Sequence, residues 1–183
     1  NRHVVLVPHG IMHGIPFASI PNGNEPLIST HTISHADHGG HILSFLSAKG
    51  TSKPHSIFAF SHATDLAFAP LEAASLKNVK LYEGSTATVH QFNQLKDSEA
   101  IDLPIHSDIR ADRPMLSALL FHSDENSDGR LRVRDLLSMP HVPRLVLLSG
   151  CASAVSRSTG AEELGVGQAF LAAGSKSVIA TLD

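Results

Sequence analysis

The sequence has few of the features that would assign it to a specialised class of protein. Its 183 residues include a single cysteine, Cys151, so no disulfide can form within the chain and no oxidising compartment is needed. No apolar run approaches the length of a transmembrane helix, and we expect no signal peptide at the start of the chain. The formal net charge is -3 and no long run of one sign occurs, which does not favour binding to nucleic acid. We therefore expect a cytoplasmic protein with neither nucleic-acid nor membrane partners.

The remaining composition is that of an ordinary globular domain. Hydrophobic residues make up 42% of the chain and charged residues 17%, which is enough apolar surface for one core. The chain has no internal repeat and no low-complexity segment. We expect a single domain over residues 1–183. Because the chain opens at Asn1 rather than at a methionine, and its last strand-like run stops at Asp183, we also expect this domain to be a piece of a longer protein.

Short apolar runs alternate with helix-like segments along the whole chain. Strands are predicted at residues 3–8, 27–34, 56–60, 79–82, 100–106, 115–121, 131–133, 144–149 and 177–182. Helices are predicted at residues 41–49, 70–77, 88–96, 134–139 and 161–173, the last with capping-box spacing between Thr159 and Glu162 at its start. The strands are continuously apolar rather than alternating. The pattern therefore predicts an α/β fold with a mainly parallel sheet sandwiched between helices.

Two residues suited to nucleophilic catalysis follow predicted strands. His106 ends the strand at 100–106, and Cys151 comes just after the strand at 144–149. Open α/β sheets bind their ligands at the carboxyl ends of strands. A cysteine there can act as a thiolate nucleophile when a base lies beside it, and backbone N–H groups of the turn around Gly150 can hold an oxyanion. The alternative is that Cys151 is only a small buried hydrophobic residue.

Seven segments, taken in order, resemble the CHAT domain, a member of the caspase-like cysteine peptidase clan. They are VPHGIMHGIPF (7–17), PLEAASL (70–76), LYEGSTAT (81–88), RPMLSALLF (113–121), GRLRVRDLL (129–137), LVLLSGCAS (145–153) and GVGQAFLAAGSKSVIATL (165–182). The resemblance implies a caspase-like fold. It also implies a cysteine endopeptidase in which His106 and Cys151 form the catalytic dyad.

Further expectations follow from this resemblance. Ser107 and Gly150 would supply the oxyanion-hole N–H groups, and no cofactor or metal is implied. The substrate would be a protein or peptide, and a regulatory repeat domain in the same longer chain is a further expected partner. The residue that the substrate carries before the cleaved bond is left open.

Two departures from the family pattern bear on activity. The family has glycine after the catalytic histidine, whereas this chain has Ser107, whose Cβ restricts the backbone. The family also continues beyond Thr-Leu with further strand and helix, whereas this chain reads TLD and stops, so we expect the sheet to be truncated at the C-terminus. The first departure motivates an alternative function, a catalytically impaired pseudopeptidase that serves as a protein-interaction module.

The histidines suggest one other kind of site. The chain has 13 of them, and His31, His35, His38 and His41 lie within eleven residues around Asp37. Histidine and carboxylate are zinc ligands, so these residues could form a metal site if their side chains converge. The alternative is a set of surface histidines, because the segment is predicted to run from a strand through a loop into a helix.

Overall fold

The computed structural model describes residues 2–36, 40, 57–61, 68–76, 78–95, 100–149, 157–158 and 163–180. The chain divides into two compact units. The smaller consists of Asn1–Thr51 with Ser158–Glu162, and the larger of Ser52–Arg157 with Glu163–Asp183. In the part of the chain that is described, no helix is long and apolar enough to cross a membrane.

The smaller unit is built on two parallel strands, β1 (Arg2–Leu6) and β4 (His31–His35), in register from Arg2 opposite His31. Between them lie two 3-10 turns (Gly10–Gly14 and Phe17–Ser19), a short antiparallel pair, β2 (Pro21–Asn22) and β3 (Glu25–Pro26), and the single helical turn α1 (Leu27–Thr30).

The prediction of one strand over residues 27–34 is therefore wrong in its first half. Residues Leu27–Thr30 turn helically instead, and the His31 N–H donates to the Leu27 carbonyl to close that turn. Apolar side chains alone could not distinguish one helical turn from the start of a strand.

The larger unit alternates strands and helices. Its strands are β5 (Ile57–Ser61), β6 (Val79–Glu83), β7 (Ala100–Asp102), β8 (Ser107–Asp108), β9 (Ala118–Leu120), β10 (Arg130–Arg132), β11 (Leu145–Leu148), β13 (Glu163–Leu164) and β14 (Ser177–Ala180). Its α-helices are α2 (Ala69–Ser75), α3 (Val89–Asn93), α4 (Val133–Leu137) and α5 (Val166–Ala173), with 3-10 turns at Gly84–Thr86 and Pro114–Leu116. The two-residue strand β12 (Arg157–Ser158) has one residue in each unit. The helix predicted at 41–49 lies outside the described residues.

A five-stranded sheet organises this unit, in the order β14-β11-β7-β5-β6. Every neighbouring pair in it is parallel. This confirms the α/β fold and the parallel sheet that the continuously apolar runs predict, since strands buried on both faces need no polar alternation. The strands β7 and β11 are neighbours, so the segments that follow them leave the same edge of the sheet side by side.

The two faces of the sheet carry different side chains. Phe58, Ile101 and Val146 lie in one row of the register. Ile101 and Val146 belong to the main core, which also includes Phe92 of α3 and Phe170 of α5, and the partly buried Phe58 packs against it. The next row, with Ala59, Asp102 and Leu147, faces the opposite side. Helix α2 packs against β5 and β6, and its Glu72 bonds Ser149 on that opposite side. Helices therefore cover both faces, as predicted.

Aromatic rings make up the centre of the core. Phe60 is fully buried, stacks on Tyr82 at 4.7 Å between ring centroids, and meets Phe121 edge-on at 5.5 Å. Phe92 lies 6.2 Å from Phe60 and 6.3 Å from Phe170. These rings join two strands, a loop and two helices into one packed cluster.

A small antiparallel sheet, in the order β10-β9-β8, lies in the same unit. The predicted hairpin at DENSDG connects β9 to β10, and Gly129 ends it with a φ of +76°. A Cβ at this glycine would lie 2.4 Å from the Phe121 carbonyl oxygen, so no other residue fits without a backbone shift. The predicted strand at 131–133 ends one residue early, because Val133 opens α4.

The last helix is shorter than predicted. Helix α5 spans Val166–Ala173 with Gly165 as its N-cap, so the predicted start at residue 161 is wrong. The predicted capping pair, Thr159 and Glu162, lies outside the described residues, and it precedes the helix by too many positions to cap it. Gly174 ends the helix in the left-handed region, with a φ of +116°, as its position predicts.

Candidate active site

His106 lies where the chain leaves the parallel sheet. The Leu103 N–H still donates to the Leu147 carbonyl at 2.9 Å, but Pro104 lacks an N–H and cannot extend this pairing. The side chains of Leu103 and Ile105 are fully buried, whereas His106 is half-buried. The predicted strand over 100–106 is thus too long. The last residues of this segment are held instead by the buried side chains of Leu103 and Ile105, and His106 follows them at the edge of the sheet.

Ser107 begins the edge strand β8 of the antiparallel sheet. The Leu120 N–H donates to the His106 carbonyl at 2.9 Å, so His106 and Leu120 form a hydrogen-bonded pair. The next pair in the ladder, Ser107 and Leu119, is then of the non-hydrogen-bonded kind. The Ser107 N–H therefore points away from β9.

Arginines fix the position of β8 through Asp108. Arg110 donates to both carboxylate oxygens of Asp108, at 2.9 and 3.0 Å, and Arg130 of β10 donates at 2.5 Å. The hydrogen bonds from Arg110 and then from Arg130 hold the pKa of Asp108 below its usual range. The Asp108 carboxylate is therefore ionised at neutral pH. Its ion pair with Arg130 connects β8 to β10, the strand on the other side of β9, at a position two residues after His106.

Cys151 and Gly150, the predicted nucleophile and oxyanion-hole donor, lie outside the described residues. The described chain reaches Ser149, which directly follows β11 and precedes Cys151 by two positions. Because β11 and β7 are paired, the segments that lead to Cys151 and to His106 depart from neighbouring strands.

Three polar groups meet on the face of the sheet opposite the aromatic core. The Ser149 hydroxyl donates to Glu72 Oε1 at 2.5 Å and lies 3.5 Å from Asp102 Oδ1. Asp102 is only 1% exposed, and its Oδ2 is buried with no hydrogen-bond partner. Glu72 is exposed on α2. We call these three residues the acidic cluster.

A comparison with protein families identifies the family of this chain. The family model of the CHAT domain matches residues 1–183. The chain belongs to the CHAT domain family. A CHAT domain is a caspase-like domain of the cysteine-peptidase type, and the parallel sheet of the larger unit agrees with that fold. No curated protein matches the sequence significantly.

The serine that replaces the family's glycine is compatible with the backbone of this CHAT domain. Ser107 lies in the extended conformation of β8, and among the described residues Asn78 alone combines a side chain with a positive φ. Glycine is required where φ is positive, and Ser107 is not such a position. Serine can therefore occupy this position without backbone strain.

The titration of Asp102 gives a test of the acidic cluster that does not depend on activity. Burial first, and then the nearby charge of Glu72, raise the pKa of Asp102 from 3.8 to about 6. Between about pH 4 and pH 6 the folded state thus retains a proton that the unfolded state has released. The free energy of unfolding should fall as the pH rises through this window and stay lower above it.

The Asp102→Asn variant is expected not to show this fall in the free energy of unfolding between about pH 4 and pH 6. Its free energy of unfolding at about pH 7.5 should exceed that of the wild type by about 2–3 kcal/mol, measured by urea unfolding from acid to neutral pH. Asp112→Asn is the control, because the Asp112 side chain is 76% exposed, and it should change stability by less than about 0.5 kcal/mol. Parallel pH profiles for Asp102→Asn and the wild type would contradict the raised pKa.

The two described histidines of the predicted metal cluster do not converge. His31 and His35 both lie on β4, four positions and so about 13 Å apart along the strand. His31 Nδ1 lies 2.8 Å from the Thr30 hydroxyl, and the His35 ring meets Phe17 edge-on. These two histidines cannot ligate one ion together. His38, His41 and Asp37 lie outside the described residues.

Sequence reasoning missed the acidic cluster. One signal was present, since Asp102 is a single charged residue among apolar neighbours in AIDLPI. A carboxylate at a position predicted to be buried is rare unless it is paired or functional. Nothing in the sequence, however, indicated that Glu72 and Ser149 would lie beside it.

Proposed function

We propose that this CHAT domain is a cysteine endopeptidase that uses His106 and Cys151 as a catalytic dyad on protein or peptide substrates. His106 follows β7 on a segment that is buried at Leu103 and Ile105 and held by the ion pair of Asp108 with Arg130, so its backbone has a defined location. That position beside the strand leading to Cys151 is the observation that carries the proposal.

The reaction would proceed in two acyl-transfer steps. His106 takes the Cys151 proton, and the thiolate attacks the peptide carbonyl carbon to give a tetrahedral oxyanion. The C–N bond then breaks, the His106 imidazolium gives its proton to the leaving amine, and a thioester remains on Cys151. A water molecule, deprotonated by His106, attacks the thioester, which releases a carboxylic acid and restores the thiol.

Backbone N–H groups would stabilise the oxyanion in both steps. The Ser107 N–H, directed away from β9, is one proposed donor, and the Gly150 N–H is the other. Such donors act strongly because they are fixed before the charge forms. The pseudopeptidase alternative was based on the serine that replaces glycine after His106. The extended backbone at Ser107 does not require glycine, so this replacement is no longer an argument against activity.

Alkylation of Cys151 by iodoacetamide tests this proposal without a substrate. Since Cys151 is the only cysteine, the alkylation rate against pH reports its thiol pKa directly. We expect an apparent pKa well below about 8.5 in the wild type, and a rise toward that value in His106→Ala.

His90→Ala is the matched control, because His90 is exposed on α3 and should leave the pH profile unchanged. A wild-type thiol of ordinary pKa whose reactivity is independent of His106 would instead support the pseudopeptidase.

A further inference from the structure

A cleft of about 420 Å³ lies on the smaller unit, at the start of its two parallel strands. It is lined by Arg2, Ser29, Thr30 and His31, and so by no carboxylate. Arg2 begins β1 and His31 begins β4, and the two residues are register partners, so their side chains lie side by side on one face of the strand pair. The cleft therefore brings a permanent positive charge next to an imidazole and two hydroxyl groups.

A chain of hydrogen bonds orients the His31 ring. The side-chain amide of Asn22 donates to the Thr30 hydroxyl at 3.0 Å, and that hydroxyl lies 2.8 Å from His31 Nδ1. The other acceptor within reach of the Thr30 proton, the Leu27 carbonyl, is farther away at 3.4 Å. We therefore assign the Thr30 proton to Nδ1, which leaves the proton of the neutral ring on Nε2.

Three groups in the cleft have donors that no protein group uses. The Arg2 guanidinium, the Ser29 hydroxyl and His31 Nε2 make no hydrogen bond or ion pair within the part of the chain that the structure describes. Arg2 and Ser29 are exposed and His31 is half-buried, so a ligand can reach all three from solvent. Donors of this kind, and a guanidinium above all, bind phosphate oxygens. A phosphate monoester presents three such oxygens, one for each of the three groups, whereas a carboxylate presents two.

We propose that Arg2, Ser29 and His31 form a binding site for the phosphate group of a small phosphate monoester. Arg2 supplies the positive charge and two parallel donors, and the Ser29 O–H and the His31 Nε2–H each supply one more. The volume of the cleft falls within the range of small-molecule sites in proteins, so there is also room for the organic part of the ester. Binding here does not depend on the proposed peptidase activity.

Titration of the full chain, followed by nuclear magnetic resonance, tests this site. We would record the ring proton resonances of His31, assigned by their loss in His31→Gln, while adding phenyl phosphate at about pH 7.5 and a fixed ionic strength of about 0.15 M. These resonances should shift and saturate with a Kd of about 1–10 mM, as a few exposed contacts provide. Benzoate, which carries a carboxylate on the same ring, should bind at least about fivefold more weakly.

Variants of the cleft residues test the donors separately. Arg2→Gln should weaken phenyl phosphate binding by at least about tenfold, because it removes the charge and the paired donors. Ser29→Ala removes one neutral donor and should weaken binding by about threefold. Arg113→Gln is the control, because the Arg113 side chain is 74% exposed in the larger unit, and it should leave the Kd unchanged. His9, an exposed histidine of the smaller unit that does not line the cleft, should show no saturating shift.

Two different results would overturn the inference. If the His31 resonances shift no more than those of His9, or if Arg2→Gln and Ser29→Ala both bind phenyl phosphate as tightly as the wild type, the cleft is not a phosphate site. If benzoate binds as tightly as phenyl phosphate, the cleft binds anions without recognising phosphate, and the assigned ligand class is wrong. Neither result involves Cys151, so the peptidase proposal stands or falls separately on the alkylation assay.

Discussion

Peptide cleavage is expected to fall by about 10²- to 10⁴-fold when His106 is replaced by alanine, and to be lost when Cys151 is replaced by alanine. Cys151 supplies the electron pair that forms the thioester, so no other group in the dyad can replace it. His106 removes and returns protons at both steps, and water at neutral pH does this poorly. The measurement is kcat/KM on a fluorogenic peptide that the wild type cleaves, with the folded state of each variant checked by circular dichroism.

The His90→Ala variant is the control for the His106→Ala measurement. His90→Ala removes an imidazole ring from an exposed position on α3 and should retain wild-type cleavage. If His106→Ala keeps more than half of the wild-type rate, the dyad assignment is wrong, and another base would have to be sought among the residues near Cys151.

Phe60→Ala is expected to lower the free energy of unfolding by about 3–5 kcal/mol, the largest stability effect we anticipate. Phe60 is fully buried, and its ring contacts Tyr82, Phe92 and Phe121, which belong to three different segments of the chain. Truncation removes apolar surface and leaves a cavity that these rigid rings cannot fill. Since typical domains are stable by only about 5–15 kcal/mol, much of the variant would unfold on mild heating.

Phe68 offers a matched comparison for this measurement. It is 78% exposed, so Phe68→Ala deletes the same atoms without opening a cavity and should change the free energy of unfolding by less than about 0.5 kcal/mol. Urea unfolding at one pH measures both variants. A loss for Phe60→Ala as small as that for Phe68→Ala would mean that the aromatic cluster is not a tightly packed core.

The sequence predicted the parallel sheet better than it predicted the ends of its elements. The run at 144–149 differs from β11 by one residue at each end, because a central strand is apolar throughout and bounded by polar residues. At 27–34 and at 161–173 the same reasoning failed. Apolar residues there serve a helical turn or a short strand, and periodicity over so few positions cannot separate the two.

The candidate site was predictable only in part. The sequence placed His106 at the end of a strand, whereas in the structure β7 ends at Asp102 and His106 lies four residues later, just before β8. Its partnership with Cys151 and the oxyanion-hole roles of Ser107 and Gly150 stay predictions. The acidic cluster was not predictable, because Ser149 lies 47 residues from Asp102 and 77 from Glu72 along the chain.

The amino-acid sequence by itself determined the fold class and the family, since apolar periodicity and an ordered series of short motifs are local properties that survive without coordinates. Only the tertiary structure decided that Asp102 and Ser149 lie on the face of the sheet opposite the aromatic core, where Glu72 of α2 bonds Ser149. The reason is that the register between neighbouring parallel strands, and the face on which a crossing helix packs, depend on contacts between distant segments.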